Sequence, residues 1–294
     1  MREISKFPLL LFLNSRAEVG LLSFSPLTDS HHRTMAHPAT YITVSTIVLS
    51  IIALISVVLR FLARIKQGAN LAQDDFLLLA GLIFMLGLGV CTVLAVYLGH
   101  LGQHVVVDAE GMPEYGEWLR RFWQIEWAGQ LVSIIGFTLI KASLVLLYRR
   151  IFRGDRFKLV STILLVVIYS WGISFFFAVL LECKPVSQVL LAPQERTGHC
   201  SSPAPIVQGM AIANLIIDIA ILATPQPIVW KLHMPLKQRL AVSFIFLLGF
   251  LVVAIGAVRV YYYFAVNEDL EKKLFDIAWY HAPAFYWTNF DGCG

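Results

Sequence analysis

The chain predicts an all-α fold: a polytopic membrane helix bundle with six complete transmembrane helices and a truncated seventh. Three observations carry that prediction. The composition is 58% hydrophobic and only 14% charged, with a mean hydropathy of +0.72, which a water-covered surface does not sustain. The stretch from Glu126 to Phe152 is apolar from Trp127 to Tyr148, roughly the 20 residues that a bilayer-spanning helix needs, and closes in the basic cluster Arg149, Arg150 and Arg153. Comparable apolar runs recur along all 294 residues with short polar loops between them, leaving no room for a separate soluble domain.

Residues 1–39 form an N-terminal leader, expected to be disordered or misannotated. Phe7 to Leu13 follows Arg2 and Lys6 as a signal-peptide core would, but it is short and no small-x-small cleavage site follows it. Met35 stands directly ahead of the first membrane run and makes a natural start. The transmembrane domain is then 40–290, with 291–294 a short tail.

Helix 1 is expected from Tyr41 to Leu62, closing in Arg60, Arg64 and Lys66. Helix 2 opens at Asp74 and Asp75, where carboxylates suit a helix N-cap and the positive end of the dipole, and runs to Tyr97. An acidic loop from Gly99 to Arg121 leads into helix 3, the stretch already described. Helix 4 runs from Leu159 to Leu181, helix 5 from Ile206 to Trp230 with a Pro-containing exit, and helix 6 from Leu240 to Tyr262. The closing segment, Leu274 to Phe290, contains Asp276, His281 and Pro283 and is too short and polar for a complete span.

Charge placement orients the bundle. The loops after helices 1, 3 and 5 hold eleven Lys and Arg, against four after helices 2 and 4. By the positive-inside rule the N-terminus is outside, and Tyr115, Trp118, Trp123 and Trp127 form an outer aromatic belt. Basic residues gathered at helix ends are orientation signals, which excludes nucleic acid as a partner. The lipid bilayer is the partner that composition implies.

The four cysteines contain no CxxC pair, so a zinc ribbon or thioredoxin-like motif is excluded. Cys183 and Cys200 share one extracellular loop and are expected to form a disulfide. His100 and His104 stand four apart, but with no further ligand nearby they read as polar residues at the outer interface rather than a zinc site. No Ser/His/Asp arrangement, Gly-rich phosphate loop or histidine box is present, so the chain is not expected to be an enzyme and no metal or cofactor is called for.

Polar residues inside the membrane runs carry more information. Asn214 and Asp218 are four apart on one face of helix 5, and Lys141 is the lone charge within helix 3. Counted from the inner helix ends, Lys141 and Asp218 differ in depth by about 7 Å, within reach of a Lys side chain. Two readings stand: Lys141 pairs with Asp218, or Lys141 snorkels to the cytoplasmic face and Asp218 is protonated or bonded to Asn214.

The series RFLAR, DDFLLLAG, YLGHLGQH, KASLVLLYRRIF, ECKP, NLIIDIAILATPQPIVWKL and LKQRLAVSFIFLLGFLVVAIGAVR resembles the fungal rhodopsin-domain integral membrane proteins, the family named after a satratoxin-cluster member. The resemblance covers Tyr41 to Trp287 and implies a seven-helix, plasma-membrane protein similar to receptor-like proteins of surface sensing. Two departures are visible. Trp287 is followed by TNFDGCG where the family continues its seventh helix, and the family pattern does not require the leader before Met35. Despite the family's name, no Lys lies between Leu274 and Gly294 to carry a retinal Schiff base.

The resemblance therefore implies receptor-like sensing of an extracellular cue. The basic loops holding Arg149, Arg150, Arg153, Lys237 and Arg239 would face a cytoplasmic signalling partner, unless they act only as topology signals. The alternative is a small-molecule transporter for a secondary metabolite, with Lys141, Asn214 and Asp218 lining a path. The internal repeats that such transporters commonly carry are not evident.

Overall fold

Pro38 opens the first helix, where the amide a proline lacks would have had no partner in any case. The structure, a computed structural model, describes residues 38–66, 72–100, 117–152, 154–191, 197, 199–201, 203–226, 247, 249–258 and 260–261. Helix α1 is Pro38–Lys66, α2 Gln73–Leu98, α3 Glu117–Ile151, α4 Asp155–Leu180 and α5 Pro203–Ala223. Between α4 and α5 lie strand β1 (Cys183–Lys184), a 3-10 turn (Val186–Leu190) and strand β2 (His199–Cys200). A shorter apolar helix, α6, is Gly249–Val258. Among the described residues, α1 to α5 are long and apolar enough to cross a bilayer. The expected seventh segment, Leu274 to Phe290, lies outside the described residues.

Several boundaries differ from the sequence reading for definable reasons. Residues 38 and 39, assigned above to the leader, belong to α1, and the Thr43 hydroxyl donates to Ala39 O across that first turn at 2.9 Å. Asp74 and Asp75 are inside the first turn of α2 rather than at its cap. Ala72 precedes the helix, and its amide donates to Asp75 Oδ2 at 3.2 Å. Glu117, Arg120 and Arg121, read as loop, start α3, supported by a 3.0 Å ion pair between Arg121 and Glu117 one turn apart. Helix α4 starts at Asp155, and α5 ends at Ala223, because Pro225 has no amide with which to continue it.

Helix α3 is the centre of the bundle. Its Ile134, Phe137 and Val145 pack with Met85 and Leu88 of α2, with Ile168, Trp171 and Val179 of α4, and with Met210, Ile217 and Ile221 of α5. A second cluster joins Ala39 and Ile42 of α1, Ala95 and Val96 of α2, and Phe122 of α3. Close approach needs glycine at several places, Gly81 and Gly172 among them. A Cβ on Gly81 of α2 would lie 2.7 Å from Ile140 Cγ1, and one on Gly172 of α4 would collide with the Thr138 hydroxyl of α3.

Outward faces carry Ile51, Leu59, Ile83, Ile163, Val166 and Ile173, all exposed, as helices surrounded by lipid rather than water require. Hydroxyls within these helices donate to the carbonyl one turn back: Thr46 to Ile42 at 2.7 Å, Thr92 to Leu88 at 3.0 Å and Thr138 to Ile134 at 2.7 Å. Each polar group is thereby satisfied without water.

Candidate functional site

Where α4 passes to α5, the Cys183 and Cys200 sulfurs are bonded, with their Cα atoms 4.1 Å apart and directly paired across β1 and β2. This closed loop lies against α3, where Gln124 Nε2 donates to Leu190 O at 3.0 Å, and the Trp127 indole of α3 donates to Val179 O of α4 at 3.1 Å. Of the expected aromatic belt, Trp118, Trp123 and Trp127 are half-buried: Trp123 and Trp127 pack against the bundle's apolar clusters, and Trp118 meets His100 edge-on at 5.9 Å. His104 and Tyr115 lie outside the described residues.

In mid-bundle, α3 and α5 are joined through charge. Lys141 Nζ donates to Asp218 Oδ1 and, at 3.2 Å, to the Asn214 backbone oxygen. Asn214 Nδ2 donates to Asp218 Oδ2 at 3.1 Å, so both sequence readings of Asp218 hold together: it pairs with Lys141 and bonds to Asn214. Lys141 is 5% exposed and Asn214 4%, so the ammonium does not snorkel to the inner face. The Asp218 bond fixes the Asn214 amide with its nitrogen toward the carboxylate. Asn214 Oδ1 then has no donor among the described residues. The chemistry available here is charge pairing and hydrogen bonding at a depth where an unpaired ion is costly.

Where the end of α1 meets the start of α2 stands a cluster that residue-by-residue reading missed. Asp74 and Asp75 are both buried and accept from α1: Arg60 Nη2 to Asp74 at 2.8 Å, Arg60 Nε to Asp75 at 3.2 Å and Arg64 Nη2 to Asp74 at 2.5 Å. Arg64 Nη1 approaches Asp75 Oδ2 to 2.5 Å as an ion contact without hydrogen-bond alignment. Helix α3 joins through the Ser143 hydroxyl, which donates to Asp74 O at 2.8 Å, and through Arg150, 3.8 Å from Asp74 Oδ1. The signal was present in the sequence as opposite charges at the facing ends of consecutive helices.

Of the expected basic coupling residues, Arg149 and Arg150 are exposed in the last turn of α3, whereas Arg153, Lys237 and Arg239 lie outside the described residues. A groove of about 380 Å³ between α1 and α2, lined by residues such as Thr46, Ser50, Leu86, Gly89 and Val93, contains neither Lys141 nor Asp218. Among the described residues no group of three or more His, Cys, Asp or Glu is placed to hold a metal.

Residues 59–292 match the family model described as the fungal rhodopsin domain. The chain belongs to the fungal rhodopsin domain family. Its relatives include the polyenoic acids biosynthesis gene cluster protein Ba17b of Metarhizium anisopliae, 30% identical over 67% of this chain and 53% of the relative. A SAT4 family membrane protein of Emericella nidulans is 27% identical over 45% of this chain and 35% of its own length. The fugralins biosynthesis cluster protein 2 of Gibberella zeae is 39% identical over 27% of this chain and 18% of its own length. The chain thus spans about half the length of the first of these relatives. No solved structure matches it. Multiple apolar helices and this membership together make it a multi-pass membrane protein.

Proposed function

We propose that this fungal rhodopsin domain protein is a receptor-like sensor of the plasma membrane, with its N-terminus outside and no enzymatic activity of its own, that answers an extracellular small molecule. The observation that carries this reading is the Lys141–Asp218 pair. It ties α3 to α5 inside the bundle, and a buried ion pair is stable when made and costly when parted. A ligand that parts or tightens it changes how α3 packs on α5. Helix α3 ends in Arg149 and Arg150, so that repacking reaches the face offered to a cytoplasmic signalling partner.

Transport of a secondary metabolite is the second reading. Relatives named for polyenoic acid and fugralin biosynthesis clusters support a product of such a cluster as cue or cargo. The sealed position of Lys141 favours a link between helices over the wall of an open path. Proteoliposomes holding the full chain, challenged with a fluorescent polyenoic acid, separate the two. Acid-dependent recruitment of a G protein without accumulation in the lumen supports sensing, and luminal accumulation that Lys141→Met abolishes transfers the reading to transport. A glycosylation acceptor placed within residues 101–116 is modified if that loop is outside, and its absence from the glycosylated fraction reverses the orientation.

A further inference from the structure

We propose that the inner corner between α3 and α4 is a binding site for a polyvalent phosphate-bearing anion, the chemistry shared by an inositol phospholipid headgroup and a free inositol phosphate. The proposal does not rest on the sensor reading; it needs only that this end of the bundle is cytoplasmic.

The corner is tight and internally braced. Phe152 and Phe157 pack ring to ring at 5.4 Å across it, and Phe157 is buried. Helical hydrogen bonding continues up to both sides, with the Phe152 amide donating to Tyr148 O at 2.8 Å and the Lys158 amide to Gly154 O at 2.9 Å. On this support Arg149, Arg150, Arg156 and Lys158 are all exposed. A Cβ built on Gly154 meets no atom of the described residues within 4 Å, its two chain neighbours aside.

The local acids do not cancel these cations. Asp74 and Asp75 are buried against Arg60 and Arg64, leaving Asp155, paired with Lys158 at 3.7 Å, as the exposed carboxylate of the corner among the described residues. Arg150 occupies an intermediate position. At 3.8 Å from Asp74 it is beyond hydrogen-bond length, and its side chain is 43% exposed. It is tethered by charge without being held, and its guanidinium is able to turn to an incoming phosphate, which it matches in a two-pronged geometry. A polyvalent anion has the advantage because it engages several cations at once while Asp155 opposes it. The site lies at the headgroup level of the inner leaflet, where basic residues beside a membrane helix gather anionic lipid.

The test is a titration of the full chain in neutral detergent with a fluorescent short-chain phosphatidylinositol bisphosphate, read by anisotropy, every variant first matched to the parent by circular dichroism. Saturable binding is expected, weakened by roughly fivefold in Arg150→Gln and by roughly a hundredfold in the triple variant Arg149→Gln, Arg150→Gln, Arg156→Gln, from the usual contribution of each surface cation. Lys66→Gln removes an exposed cation at the inner end of α1 and is expected to leave affinity unchanged. Competition by inositol trisphosphate as strong as by unlabelled short-chain lipid assigns the free headgroup, and competition by the lipid alone assigns the membrane form. Absence of saturable binding, or an equal loss in Lys66→Gln and Arg150→Gln, overturns the proposal: the second result would mean a diffuse positive field and no site.

Discussion

Arg64 on α1 and Asp75 on α2 meet at 2.5 Å with side chains only 13% and 1% exposed, so the end of α1 and the start of α2 are fastened by a nearly buried ion pair. Arg64 also reaches Asp74 at 2.5 Å, and removing it leaves two buried carboxylates with less compensation than they require. Arg64→Met is expected to destabilise the chain by about 3 kcal/mol, read as a fall in thermal midpoint in detergent. Lys66→Met, two residues on but exposed, is expected to change stability by about 0.5 kcal/mol or less. Equal shifts for both would show that the clasp contributes nothing beyond general charge.

The Lys141–Asp218 pair predicts strong non-additivity. Lys141→Met leaves the buried carboxylate without its cation, and Asp218→Leu leaves the buried ammonium without its carboxylate; each is expected to lose about 3 kcal/mol. The double variant removes both charges and is expected to be more stable than either single one. A double-mutant cycle on thermal unfolding decides it: if the two losses simply add, the pair does not couple α3 to α5.

How much of this was legible depended on whether the signal lay within one helix or between two. Helices α1 to α5 followed from apolar runs alone, because in a membrane every backbone amide must be satisfied within its own segment. Lys141 and Asp218 could be brought to similar depth by counting rise per residue, but whether their faces met depended on how α3 and α5 are rotated, which packing decides. The Arg60 and Arg64 clasp went unread because basic residues at an inner helix end already have a topological explanation. The start of α3 was placed about two turns late, since Glu117 and Arg121 look like loop residues until their i,i+4 pairing is considered.

The Cys183–Cys200 disulfide predicts a definite labelling pattern. Of the four cysteines, Cys183 and Cys200 are bonded to each other, so alkylation of the denatured chain is expected to add at least two more labels after reduction than before it. The bond closes a sequence separation of 17 residues, for which the chain-entropy estimate is about 3 kcal/mol. Paired Cys183→Ser and Cys200→Ser substitution is expected to lower the thermal midpoint accordingly. Four labels on the unreduced chain would remove the bridge from the account.

Gly172 supplies the sharpest steric prediction. Thr138 of α3 stands where a Cβ at position 172 of α4 would project, with its hydroxyl donating to Ile134 O at 2.7 Å. Rotating the threonine gives no relief, because its Cγ2 lies only 3.1 Å from the same position and would replace the oxygen as the obstacle. Gly172→Ala therefore forces α4 away from α3, at a cost of about 1–3 kcal/mol typical of overpacking, even though alanine favours helix over glycine by about 1 kcal/mol. Thr138→Ala removes both offending atoms and leaves Cβ at 3.3 Å, a distance that small shifts accommodate. The double variant Gly172→Ala, Thr138→Ala is expected to recover most of the loss. Thermal unfolding of the two singles and the double reads this directly: a double variant less stable than Gly172→Ala alone would mean that α3 and α4 do not approach each other at this level.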